Sequence, residues 1–188
     1  MPRPPRGPVA HRALVAYERP DGDYDLHDSR WGGTDLSLAS RITAETPFGG
    51  PGGARVRRGP SPGFGPRPVE RRPSAVGLDF DGVLDAVDLR RHEAVFVVDE
   101  GYDVTAYLPL WFGLPGVAPD VTAGALVAVD PDGGPYGGPR TRRWFRATKG
   151  VVADAVDCSA LTRDEAVAYL AARVEERAGD REVIVLTE

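Results

Sequence analysis

Cysteine is almost missing from this 188-residue chain: Cys158 stands alone. An intramolecular disulfide and a cysteine-based zinc site are both excluded. With no base beside it in sequence, Cys158 reads as a small buried side chain. Long apolar runs are missing too. None approaches the roughly 18 residues a membrane-spanning helix needs, and none has the form of a secretion signal. The expectation is a cytoplasmic chain that touches no membrane. Lysine is as scarce as cysteine, for Lys149 is the only one among 23 basic residues.

What is present fits that economy. Arginine supplies the other basic residues, and aspartate dominates the 28 acidic ones, for a net charge of −5. Arginine with abundant Asp, Ala, Val and Gly fits a GC-rich genome, and an aspartate-rich surface suits a halophile. A net negative charge argues against binding of nucleic acid or anionic membranes by the domain as a whole. The charge is split, however. Residues 1–74 carry 12 basic and 8 acidic side chains, net +4, whereas residues 75–188 carry 11 and 20, net −9.

Glycine (23) and proline (18) exceed a fifth of the chain, and they are concentrated in one place. Residues 47–73 hold seven prolines and seven glycines together with Arg55, Arg57, Arg58, Arg67, Arg71 and Arg72. Such a stretch has too little apolar surface to offset its ordering entropy. It reads as a flexible insertion whose arginines could track nucleic-acid phosphates, although Phe48 and Phe64 are a thin supply of stacking partners. Residues 1–8 are similarly proline-rich and read as a disordered tail.

Between these segments the pattern is that of hairpins. Ala13, Val15 and Tyr17 alternate with Leu14 and Ala16 in a strand with both faces largely apolar. Arg19-Pro20-Asp21-Gly22-Asp23 is a turn, and Tyr24 and Leu26 mark a return strand with one wet face. Leu36, Leu38 and Ile42 suggest a short helical turn or loop. Phe80, Val83, Leu84 and Val87 fall on one helical face. Residues 93–98 and 103–112 flank Glu100-Gly101 as a second hairpin, in which Pro109 calls for an edge or a bulge. Residues 125–129 form a strand, and residues 141–148 (TRRWFRAT) are predicted to return as its antiparallel partner. Thr162 and Glu165 form a capping box for a helix that runs to Ala178 before Gly179, and residues 183–186 close with a strand. The expectation is one α+β domain over residues 9–188: antiparallel hairpins forming a sheet, packed with about two helices and interrupted by the insertion.

The residues Leu78-Asp79-Phe80-Asp81-Gly82-Val83-Leu84 match the Asp-x-Asp-Gly-Val-Leu signature of haloacid-dehalogenase-type phosphohydrolases. There a carboxylate nucleophile and its neighbour work around a magnesium ion. That resemblance implies a buried strand before the motif, yet residues 74–78 are short and broken by Gly77. It also implies a later lysine and an acidic metal pair after a Ser/Thr-ending strand. Lys149 precedes that strand, and only Glu188 follows it. The match is read as false, and a metal-assisted hydrolase using Asp79 and Asp81 or histidine–carboxylate pairs is kept as the alternative.

Other polar residues that could carry function are His11, Asp25, His27, Asp28, Ser29, Trp31, His92 and Glu93. Imidazole next to carboxylate suits hard metals and acid–base work, but no pair of histidines has helical i, i+4 spacing. No metal and no cofactor are expected. The exposed face of the first hairpin, His27 with Asp25 and Ser29, is the expected place to look for function. Tyr17, Tyr24, Trp31, Tyr107 and Trp111 could line a pocket, but at strand positions they read as core aromatics.

His11-Arg12-Ala13-Leu14-Val15-Ala16-Tyr17-Glu18-Arg19, the turn after it and residues 24–33 resemble the opening of a family of uncharacterised haloarchaeal proteins. The resemblance extends through residues 42–50 and 92–114, about half the chain. It implies a halophilic source and carries no activity, ligand or catalytic residue. Members of that family open Met-Gly-His-Arg-Ala-Leu where this chain has Val9-Ala10-His11-Arg12-Ala13-Leu14. The expectation is that translation starts at Val9, which the intact mass of the natural protein tests. The overall expectation is a small binding protein with nucleic acid as one candidate partner.

Overall fold

Strand β1 (Arg12–Glu18) is apolar on both faces, and Ala13, Leu14, Val15 and Ala16 are all buried. A strand of that kind belongs inside a sheet covered on both sides, and that is where it lies. A computed structural model describes residues 11–30, 32–33, 36–50, 69–114, 116, 118, 120–131 and 137–186. Among these the remaining strands are β2 (Tyr24–Ser29), β3 (Ala75–Leu78), β4 (His92–Val98), β5 (Val104–Trp111), β6 (Gly124–Val129) and β7 (Val183–Leu186). They form one seven-stranded sheet in the order β3-β2-β1-β4-β5-β6-β7. Five neighbouring pairs are antiparallel, and β1 with β4 is parallel.

The helices are α1 (Phe80–Asp85), α2 (Gly138–Asp157) and α3 (Arg163–Ala178), with a short 3-10 turn at Ala39–Arg41. The larger core joins one sheet face, including Val15, Phe96, Leu108 and Val127, to Phe145 and Val152 of α2 and Leu170 and Val174 of α3. Leu36, Leu38 and Ile42 seal the same face. On the other face Leu14, Leu26, Val95 and Leu126 pack with Val83 of α1 in a smaller cluster. The fold is α+β, with a mostly antiparallel sheet.

Four expectations need correction. Residues 141–148 are not a strand: they lie in α2, and β7 takes the place beside β6. A 20-residue helix that buries Thr141, Phe145 and Val152 outweighs the strand preference of Thr, Trp and Phe in that stretch. Cys158 is exposed, because it is the residue that closes α2, where the chain turns outward. Pro109 is in an interior strand, but its paired neighbour is Leu126 of β6, and the β4–β5 ladder extends only to Tyr107. The loss of its N–H is therefore local. Finally, residues 47–50 and 69–73, read as part of the flexible insertion, lie among the described residues and are hydrogen-bonded. The Val69 amide donates to the Phe48 carbonyl, that of Glu70 to Asp28, and that of Ser74 to Leu26, so the two ends are tied to each other and the second to β2. Residues 1–8 and the arginines Arg55, Arg57, Arg58 and Arg67 lie outside the described residues.

Candidate ligand-binding site

Where β1 and β4 begin and β5 ends, the sheet opens into a cleft of about 660 Å³ under α2. His11 stands just ahead of β1, and His92 and Glu93 open β4. Trp111 ends β5, while Arg142, Arg146 and Lys149 come from α2. Consecutive strand residues ordinarily point to opposite faces. His92 and Glu93 nevertheless line the same cleft, because the β1–β4 register slips there: Arg12 faces His92, but Ala13 faces Ala94. Glu93 is the extra residue, and an irregularity of this kind re-aims side chains.

The helix contributes its cations by spacing. Arg142, Arg146, Lys149 and Ala153 recur at i, i+4, i+7 and i+11, one stripe of α2, and all four border the cleft. Arg142 is structural. Its Nη2 donates to the carbonyls of Gly33 (2.9 Å) and Glu93, and extending the β4–β5 register would set Glu93 against Pro109, which has no N–H to give. Burial pushes the Arg142 pKa down, opposed by the charge of Glu93. Arg146 is exposed.

His11 and Glu93 form a dyad, Nδ1 to Oε2 at 2.7 Å, with both side chains about a third exposed. A carboxylate accepts only, so Nδ1 carries the proton and the imidazole is held in one tautomer. His92 is held the other way. The Asp88 amide donates to its Nδ1 at 3.1 Å, which places the ring proton of the neutral form on Nε2. Burial lowers the His92 pKa, and the nearby Asp88 and Asp28 oppose that.

Trp111 and Lys149 form the floor. The indole Nε1 donates to the Val121 carbonyl at 2.5 Å. A Cβ on Gly113 would come within 2.1 Å of the ring, so glycine there is the space the indole occupies. Lys149 Nζ is 4.4 Å from the Trp111 ring centroid and 5.6 Å from that of Phe145, and it donates to the Trp111 carbonyl at 2.9 Å. Arg90 lies 5.0 Å from the same indole. Burial lowers the Lys149 pKa to about 8. No carboxylate pairs with Lys149 among the described residues.

The other expected site residues lie elsewhere. His27 and Ser29 are 5% and 1% exposed, so the face expected to be a working surface is interior. His27 Nδ1 meets the Glu70 carbonyl at 2.8 Å, and its ring packs against Tyr17 and Phe48. The segments at residues 36–50 and 69–73 cover that face. Asp25 pairs with Arg19 and accepts from the Gly77 amide. Asp28 borders a small polar recess with Arg12, Ser29, Arg30 and Glu70. Trp31 lies outside the described residues, and Arg71 and Arg72 are exposed.

Asp79 and Asp81 are exposed, and Asp79 is the N-cap of α1, accepting from the Gly82 amide at 2.8 Å. The strand before them is β3 at the sheet edge, with Val76 60% exposed, not the buried strand the phosphohydrolase signature implies. Among the described residues no three His, Cys, Asp or Glu side chains gather as metal ligands, and no helix is long and apolar enough to cross a membrane.

Of the sequence candidates, His11, His92 and Glu93 line this cleft; Arg90, Arg142, Arg146 and Lys149 were not among them, and Trp111 was read as core. The i, i+4, i+7 spacing of the α2 cations was the available indication, hidden once residues 141–148 were read as a strand.

Fold and site together define an α+β protein with a cation-lined cleft at the end of its central strands. The chain matches the model of a family of unknown function (DUF6735) over residues 9–59 and 60–186, and it belongs to that family. No curated protein and no solved structure matches it.

Proposed function

We propose that the chain is a binding protein whose ligand is a small anion with a flat or apolar portion, held in the sheet-end cleft. The observation that carries this reading is that Arg90, Arg142, Arg146 and Lys149 line one cleft, with Arg90 and Lys149 over the Trp111 ring, in a chain of net charge −5. Among the described residues Glu93 is the lining carboxylate, and it is occupied by His11. Cationic side chains over low-dielectric walls raise the local concentration of anions, and an indole gives a planar ligand a face to stack on. The aspartate bias and single lysine support a halophilic, haloarchaeal source and a cytoplasmic location. Contact with nucleic acid through Arg55, Arg57, Arg58, Arg67, Arg71 and Arg72 stands as a separate proposal. Equal filter retention of an oligonucleotide with and without residues 53–72 at low salt would remove it.

The test of the cleft is thermal unfolding with phosphate, oxalate and citrate against neutral and cationic compounds of similar size. An anion present at about 100 times its Kd stabilises by about 2.7 kcal/mol, a rise of roughly 5–10 °C for a chain of this length. Arg146→Glu should abolish that rise. Equal response to anions and cations, or no response to any, removes the proposal.

A further inference from the structure

We propose that Lys149 is the reactive group of this cleft, its ε-amine condensing with the carbonyl of an anionic aldehyde or α-keto acid to form a reversible imine. The inference rests on the anion-binding reading above and names the class of ligand. An amine that attacks carbonyls must lose its proton, so it needs apolar neighbours and no carboxylate partner. Among the described residues Lys149 meets both conditions: Nζ is 4.4 and 5.6 Å from the Trp111 and Phe145 ring centroids, it donates to the Trp111 carbonyl, and no carboxylate pairs with it. The charged and titratable groups that line the cleft with it are Arg90, His11, His92, Glu93, Arg142 and Arg146. Glu93 is held by His11. The fall of the Lys149 pKa to about 8 agrees with that setting and leaves roughly a tenth of the amine neutral at pH 7.

The neighbouring arginine selects the substrate. Arg146 is three residues before Lys149 on the same stripe, and residues so spaced on a helix have Cβ atoms about 5–6 Å apart. A carboxylate on the carbon next to a carbonyl is the right size to bridge guanidinium and amine. Arginine cannot stand in for Lys149, since it does not deprotonate in proteins. Yet arginine provides every other basic residue of this chain.

The step balances without a redox partner. The Nζ lone pair forms a C–N bond as the carbonyl π pair moves to oxygen, giving a carbinolamine after proton transfer from nitrogen to oxygen. The C–O bond then breaks, the oxygen leaves as water with both amine hydrogens, and a C=N bond remains. Water reverses the sequence. His11, which lines the same cleft, is an imidazole able to carry the protons.

The test treats the full chain with glyoxylate and sodium cyanoborohydride at pH 7.5, reads intact mass and maps the adduct after digestion. Each rate is divided by that of N-acetyl-lysine, and acetaldehyde is the neutral comparison. The expected result is one adduct on Lys149, forming about tenfold or more faster than on N-acetyl-lysine, with the advantage largely lost for acetaldehyde. Lys149→Arg, checked by its thermal midpoint, should give no side-chain adduct. Stabilisation by oxalate without an accelerated Lys149 adduct, or equal normalised rates for the two aldehydes, overturns this inference and leaves anion binding standing. No adduct together with no stabilisation by any anion overturns both.

Discussion

Two regions of this molecule gather charged side chains, and they are built in opposite ways. The segment from Asp79 to Leu84 is contiguous and acidic, both its aspartates are exposed, and the first is occupied in capping α1. The sheet-end cleft is assembled from four separated stretches, is mostly cationic, and is recessed against two aromatic rings. The contiguous one has the spelling of an active site and the environment of a helix start. The dispersed one has no spelling at all, and it has what perturbs chemistry: desolvation, a fixed imidazole tautomer and like charges held near one another.

The largest expected effect that would break this contrast is at Arg142. Replacing it with alanine strips the Gly33 and Glu93 carbonyls of a charged donor at a half-buried position. Hydrogen bonds to charged groups contribute about 1.5–3 kcal/mol, so Arg142→Ala should lower the thermal midpoint by roughly 5–10 °C. Arg146→Ala, at an exposed position on the same stripe, should change stability by no more than about 0.5 kcal/mol while weakening anion binding. Equal thermal losses for the two variants would mean that the cleft has no division between framing and ligand-facing arginines.

Next in size is Asp79→Ala. Loss of an N-cap costs about 1 kcal/mol, so chemical denaturation should show that loss, with anion stabilisation at the cleft unchanged. A variant as stable as the parent would show that the α1 cap contributes nothing, and the contrast would lose its bland half.

Much of the sheet was legible because its strands state their burial directly. The two-faced apolarity of residues 13–16 and the turn residues at Asp21-Gly22 account for the first hairpin, and the capping box at Thr162 and Glu165 accounts for the start of α3. The parallel pairing of β1 with β4 was not legible. It depends on which strand fills the space beside β1, and local pattern carries no such information. Burial of His27 was hidden for the same reason: its cover comes from residues 36–50 and 69–73, which read as loop and linker. The site was half legible. Histidine beside carboxylate pointed to His11, His92 and Glu93, whereas the α2 cations went unseen with their helix. That helix opens on Gly138-Pro139, carries Thr, Trp and Phe early, and has Gly150 followed by Val151 and Val152 in its second half.

Gly150 offers the next measurement. It sits within α2 on the cleft side, and a Cβ there meets nothing within 4 Å. Glycine inside a helix costs about 0.5–1 kcal/mol relative to alanine, so Gly150→Ala should raise stability by about that amount. A loss instead would mean that α2 needs its weak point, and that the helix framing the cleft is adjusted for movement as well as for packing.

The smallest effect is the most specific to the cleft. Lys149 holds its proton less tightly in the folded chain, near pH 8, than in the unfolded chain at its ordinary value near 10.5. Below pH 8 both states are protonated, and the folded state bears the full penalty of a half-buried ammonium. Between pH 8 and 10.5 the unfolded chain binds more protons, so stability attributable to this residue rises with pH. Above that range the penalty is gone. Lys149→Met should therefore be more stable than the parent at pH 7, by about 1–2 °C after allowance for solvent screening of a half-exposed group, and the advantage should fade by pH 10.5. Taking the difference between variant and parent removes the tyrosines and arginines that titrate in both. A constant difference across that window would place Lys149 in solvent, and the chemistry argued for its amine would then lack the desolvation it depends on.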